Sequence, residues 1–137
     1  MSATITSIGI YHPEKEIYNS YFENTLDTSD KWIRERTGIE RRFYTAPDEY
    51  TSDMCVKAAL NLVEEYNKEL YDVDYIIVAT STPDQPMPSV ASQVQSRLNI
   101  PNAGTIDVSS ACAGFVNGII LAKGLIAAGT HQKILVF

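Results

Sequence analysis

At 137 residues, with 45% apolar and 20% charged side chains, the chain has the balance of one globular domain able to bury a core. Its 17 acidic against 11 basic side chains give a formal charge of −6, which excludes a nucleic-acid surface spread over the whole chain. No apolar run approaches the ~20 residues needed to cross a bilayer, and the N-terminus lacks signal-peptide order, so the expected setting is cytoplasmic.

In chain order, "TITSIGIY" predicts a strand and "HPEKE" a turn. "NSYFENTL" and "SDKWIRERT" predict short helices, with Asn19 and Ser29 as their caps. "ERRFYT" predicts a short strand. "TSDMCVKAALNLVEEY" predicts a helix opened by Thr51, Ser52 or Asp53. Its Met54, Cys55, Ala58, Ala59, Leu62, Val63 and Tyr66 recur as one apolar stripe, which places Cys55 in the core.

"YIIVATS" is dense in β-branched residues and predicts a strand covered on both faces. The proline-rich "TPDQPMPS" is a loop, and "SVASQVQSRLN" is a helix ended by Asn99 in a left-handed conformation. "GTIDV" follows as a short buried strand, then "SSACAGF" leading into "VNGIILAKGLIAAG", a helix apolar all round and so expected to be buried. "KILVF" is the last strand. Strands separated by helices predict an α/β fold of βαβ units on a mainly parallel sheet. The chain stops at Phe137 inside an apolar strand, which predicts a truncated protein.

Two cysteines do not form a disulfide framework, and no cluster of Cys, His and carboxylates has metal-ligand spacing, so no metal is expected. Cys112 stands apart. It falls at a strand-to-helix junction, where N–H groups lack intrahelical partners and the helix dipole favours a thiolate. Ala111, Ala113 and Gly114 leave room for a substrate. Two readings stay open: a reactive nucleophile, or a small hydrophobe of the core.

Three stretches, "DTSDKWIRERTGIERR", "VATSTPDQPMPSVASQVQSRLNI" and "DVSSACAGF", resemble successive signatures of the ketoacyl-acyl-carrier-protein synthase III family, within the thiolase-like condensing enzymes. The resemblance runs over about residues 5–136 and matches the N-terminal half of such an enzyme. It implies that residues 1–137 form one α/β half, with the C-terminal half absent, and that two such halves pack face to face in a homodimer.

The implied reaction moves an acyl group from coenzyme A to the active cysteine. Decarboxylation of malonyl-carrier protein then supplies the carbon nucleophile that gives a 3-oxoacyl product. By the same resemblance, Cys112 is the acylated residue, with its own N–H as one arm of an oxyanion hole. Thr28, Trp32 and Arg36 hold the adenine end of coenzyme A. Met87 lies on the loop that closes the partner's acyl pocket across the dimer. Acyl-coenzyme A and the carrier protein are substrates and partners, and no cofactor is implied.

Read without the resemblance, Trp32 and Arg36 are an aromatic and a cation four apart on one helix face, and that alone favours a surface cation–π or packing pair. Likewise, Met87 fits a residue tucked beneath its loop. Arg34, Arg41 and Arg42 add local positive charge, either receiving phosphates or an acidic carrier protein or forming a solvated face. His12 and His131 match no catalytic position of the family and are expected at the surface; a matched His and Asn belong to the second half. Two other readings remain: a different condensing enzyme (hydroxymethylglutaryl-coenzyme A synthase or a specialised-metabolite enzyme), or a non-catalytic thiolase-like subunit. "DTSDKWIRERTG" argues against the former and the presence of Cys112 against the latter.

Overall fold

β-Branched residues are densest after residue 72, and there the main sheet forms. The computed structural model describes residues 2–137. The chain divides into two units, one of His12–Glu49 and the other of Tyr50–Phe137 with the residues up to Tyr11.

In the smaller unit, β1 (Lys15–Tyr18) pairs antiparallel with β2 (Arg41–Tyr44), and helices α1 (Ser20–Glu23) and α2 (Asp30–Thr37) lie between them in sequence. The expected turn at "HPEKE" thus gives way to a strand at Lys15. Asn19 is not a side-chain cap for α1. It is fully buried, donating to Asp30 Oδ1 at 2.9 Å and Ile39 O at 2.8 Å and accepting from Arg42 Nη2 at 2.8 Å. An amide that can satisfy three neighbours inside a core is worth more there than at an exposed helix end. Ser29 does cap α2, its Oγ accepting from Trp32 N–H at 3.1 Å, and Gly38 closes the helix at φ 73°.

In the larger unit, α3 (Thr51–Tyr66), β3 (Tyr75–Ala79), α4 (Val90–Arg97), β4 (Gly104–Val108), α5 (Gly114–Ala127) and β5 (Ile134–Val136) follow in order. The strands form one parallel sheet, β4-β3-β5. Ile76 and Val78 of β3 join Cys55, Val73, Val90, Ala91, Val94 and Ile100 in a core shared with α3 and α4. Ile77 points the other way, toward α5. This two-sided covering explains the unbroken apolar run of β3.

Three sequence expectations differ in outcome here. Residues 4–11 form no strand. They lie against α3, where a Cβ on Gly9 would fall 2.6 Å from Leu62 Cβ and where Ile10 N–H donates to Asn61 Oδ1 at 2.9 Å. With no neighbouring strand hydrogen-bonded to this segment, Ile5, Ile8 and Ile10 stay exposed. Helix α5 is not buried all round: Gly114, Gly118 and Ala122 are buried, whereas Phe115, Val116 and Ile120 are exposed. Strand β4 is only partly buried, with Ile106 exposed. Asn99 does adopt the left-handed conformation, at φ 53°.

The seam of α5 lies very close to the sheet. A Cβ on Gly118 would sit 3.0 Å from Val136 Cγ1 and 3.4 Å from Ile77 Cγ2, and one on Gly114 would sit 3.2 Å from Ala79 Cβ. Only hydrogen or methyl side chains fit along that line.

Candidate active site

Between β4 and α5 the chain makes one tight 3₁₀ turn, Ala111–Ala113, and Cys112 is its middle residue. Ala113 N–H donates to Ser110 O at 3.1 Å, and Gly114 N–H to Ala111 O. Ala111 adopts φ 43°, a left-handed conformation that a residue with a Cβ takes at a cost of order 1–3 kcal/mol. The turn is strained at Ala111, and the Cys112 side chain beside it is exposed. The small-hydrophobe reading of Cys112 therefore fails. Its place just before α5 puts the sulfur near the positive end of a 14-residue helix.

Cys55 is the opposite case. It is buried in the α3–α4 core, and burial, with smaller contributions from Asp84 and Asp107, pushes its thiol up to about 12. It remains protonated near neutral pH and unreactive, as its place in the apolar stripe implied.

On α2, Trp32 is 55% exposed and the Arg36 guanidinium lies over its ring, 6.0 Å from the centroid. The other three arginines are occupied. Arg34 bonds Asp30 at 3.0 Å and Glu40 at 2.7 Å. The hydrogen bond from Arg34, reinforced by Asn19, holds the Asp30 carboxyl below the usual carboxylate range. Arg41 pairs with Glu16 at 3.4 Å, and Arg42 bonds Asn19 with its guanidinium 4.6 Å from the Phe22 centroid. Arg34 and Arg41 form exposed ion pairs, as a solvated charged face would, whereas Arg42 is partly buried. Among the described residues Arg36 has no hydrogen bond or ion pair of the kind that engages the other three; its guanidinium meets the Trp32 ring. Thr28, just ahead of α2, has a buried hydroxyl with no hydrogen-bond partner among the described residues. One unit thus brings together an exposed aromatic face, an uncommitted guanidinium and an unsatisfied hydroxyl.

Met87 lies in the loop at 80–89 of the other unit and is 83% exposed, not tucked beneath the loop. His12 is exposed and His131 partly so. His12 stacks on Phe43 at 4.0 Å between centroids, its Nδ1 2.9 Å from Pro13 O. His131 meets the Tyr75 ring edge-on at 4.7 Å, its Nδ1 3.0 Å from Thr130 Oγ1. Among the described residues no group of three or more His, Cys, Asp or Glu side chains is placed to hold a metal ion. Nor is any helix long and apolar enough to cross a membrane.

Sequence reasoning missed two features of the site. Ala111 carries no local mark of strain, because alanine is the commonest of helix formers. Asp107 reads as an ordinary strand residue, yet its two carboxylate oxygens accept from Val90 N–H at 2.7 Å and Ala91 N–H at 2.8 Å. The backbone of α4 is thereby tied to the strand that leads to Cys112. The only signal available was an acid in an otherwise apolar strand.

Comparison with known proteins gives consistent results. Residues 106–137 match the sequence model of the family described as 3-oxoacyl-[acyl-carrier-protein (ACP)] synthase III. The chain is 53% identical, over 134 residues, to the beta-ketoacyl-[acyl-carrier-protein] synthase III 2 of Staphylococcus epidermidis, covering 98% of this chain and 41% of that one. It is 51% identical over 134 residues to the protein of the same description from Halalkalibacterium halodurans, covering 98% of this chain and 40% of the relative. The fold superposes on a crystal structure of the beta-ketoacyl-[acyl carrier protein] synthase III of Thermus thermophilus with a TM-score of 0.88. That protein is 42% identical, with 96% of this chain and 41% of that one covered. The chain therefore spans about two fifths of the length of these relatives.

Proposed function

We propose that the chain, similar over nearly its whole length to 3-oxoacyl-[acyl-carrier-protein] synthase III proteins, belongs to that family of thiolase-like condensing enzymes, and that Cys112 is the nucleophile that accepts an acyl group from acyl-coenzyme A. The carrying observation is an exposed cysteine on a strained turn at the start of a long helix. Its thiolate attacks the thioester carbonyl, the carbon–sulfur bond to coenzyme A breaks, and the acyl group remains on Sγ. The N–H of Cys112 is one donor to the oxyanion of that step. Loss of carbon dioxide from malonyl-carrier protein then generates a carbanion equivalent that attacks the acyl carbon. The 3-oxoacyl product leaves and the thiolate returns.

In the same proposal, residues 1–137 are the N-terminal half of a two-half enzyme that acts as a cytoplasmic homodimer and starts fatty-acid or related acyl-chain synthesis. The second half contributes the His and Asn that promote decarboxylation. Trp32 stacks the adenine of coenzyme A, Arg36 meets its phosphates, and the Thr28 hydroxyl completes the contact. Met87 contributes to the acyl pocket across the dimer.

Incubating the whole protein with radiolabelled acetyl-coenzyme A, followed by peptide mapping, tests the central assignment. Label is expected on Cys112; label on Cys55, or on neither cysteine, overturns it. The coenzyme A assignment predicts that Trp32→Ala weakens use of acyl-coenzyme A by about 1–3 kcal/mol, the range for an aromatic stacked on a base. Arg36→Ala removes a charge-assisted contact and acts in the same direction. The KM for malonyl-carrier protein is expected to stay near that of the parent. Unchanged KM for acyl-coenzyme A in both variants would refute the platform.

A further inference from the structure

The loop at 80–89 combines two properties that seldom occur together. Its most apolar side chain, Met87, is almost fully exposed, yet its backbone is tied down at both ends. At the first end, Thr82 N–H donates to Thr80 Oγ1 at 3.0 Å, and Thr51 Oγ1 donates to Thr82 O at 2.7 Å. Asp84 Oδ1 accepts from Ser52 N–H at 3.0 Å, in the first turn of α3. At the second end, Ser89 Oγ accepts from Ser92 N–H at 3.2 Å, while Asp107 takes the N–H groups of Val90 and Ala91.

The two helices that receive these ends are themselves joined. Arg97, at the end of α4, donates to Ser52 Oγ at 2.8 Å and to Asp53 Oδ1 at 2.7 Å in the first turn of α3. The circuit closes: loop to α3 through Asp84, α3 to α4 through Arg97, and α4 back to the loop through Ser89. Three prolines within the loop, Pro83, Pro86 and Pro88, remove further backbone freedom. With Met87 exposed, the anchors at the loop's ends are what place its backbone.

We propose that Asp84 is a specificity-positioning residue: by accepting from the first turn of α3 it holds the loop as a rigid strap and fixes where Met87 meets the acyl chain. The inference rests on the reading of Met87 as an acyl-pocket residue. A fixed thioether discriminates starter chains by shape; a loose one gives way to all of them. Carboxylate charge is not needed for this, only an acceptor facing Ser52 N–H.

The test is kinetic, on the whole protein, with acetyl-, isobutyryl- and hexanoyl-coenzyme A as starters. Asp84→Ala is expected to compress the ratio of kcat/KM between the best and worst starter by about threefold or more. Asp84→Asn, whose amide oxygen still accepts, is expected to restore most of that ratio. An equal loss for all three starters, or no rescue by Asn, would mean a merely structural residue and overturn the proposal. Met87→Ala is the control for the underlying reading. If Met87→Ala changes the ratio and Asp84→Ala does not, the strap is wrong and the pocket stands; if neither changes it, the pocket assignment falls. Should Asp84→Ala fail to fold, Thr51→Val, which removes the donor to Thr82 O, is held to the same expectation and the same refutation.

Discussion

Replacing Cys112 with alanine in the whole protein is expected to lower the rate of 3-oxoacyl formation by about a thousandfold or more, the scale on which loss of a covalent nucleophile is felt. The other cysteine offers no substitute. The second cysteine is protonated and enclosed, its thiol held at about 12. Cys112→Ser is expected to be nearly as inactive, because an alkoxide is harder to form and a poorer leaving group than a thiolate. Cys55→Ala, in contrast, changes a core contact and leaves acyl transfer in place. The assay is the transfer of radiolabelled malonyl carbon into product; a Cys112→Ala enzyme within tenfold of the parent rate would end the assignment.

The second large effect concerns the chain by itself. Residues 1–137 alone are expected to form no 3-oxoacyl product from malonyl-carrier protein. Condensation needs a group that promotes loss of carbon dioxide and donors that hold the resulting enolate. The two histidines are spoken for: His12 is stacked on Phe43 and His131 is lodged against Tyr75. The exposed apolar residues of α5, Phe115, Val116 and Ile120, lead us to expect self-association of the isolated chain as well. Sedimentation velocity and the same radiolabel assay check both points. A monomeric 137-residue protein that makes product would refute the expectation and require a base outside the two histidines.

How much of this was legible beforehand depended on whether the signal was local. The β-branched run of β3 could only be a covered strand, and it is. Ser29 and Asn99 act within a few residues of themselves, so cap chemistry located both correctly. Asn19 shows the limit. Its cap-like position is real, but its partners Asp30, Ile39 and Arg42 lie 11 to 23 residues away, and that geometry exists only after folding. The same holds for the basic cluster. Four arginines within nine positions read as a positive patch until Glu16, Asp30, Glu40 and Asn19 are seen to neutralise or engage three of them. For α5, composition identified an apolar helix but not which side faced the sheet, because the contact is made by the residues with least to show, Gly114 and Gly118.

Cys112 itself was singled out by its neighbours' size and by its junction between strand and helix. The left-handed Ala111 beside it is a feature that no propensity argument would place there.

The seam of α5 has a further consequence. Where a helix rests on a sheet through leucines, the side chains act as cushions, and a shift beneath them is partly absorbed by rotamer changes. Gly114, Gly118 and Ala122 offer no such padding, so the helix rides directly on β3 and β5. The nucleophile at its head inherits the stiffness of the sheet. Divergence among proteins built on this pattern has little freedom to re-aim the sulfur by drift along the seam, since a first added carbon at Gly114 or Gly118 already crowds the sheet. Variation in what such a protein accepts must enter elsewhere, through parts of the surface that can change without moving the helix.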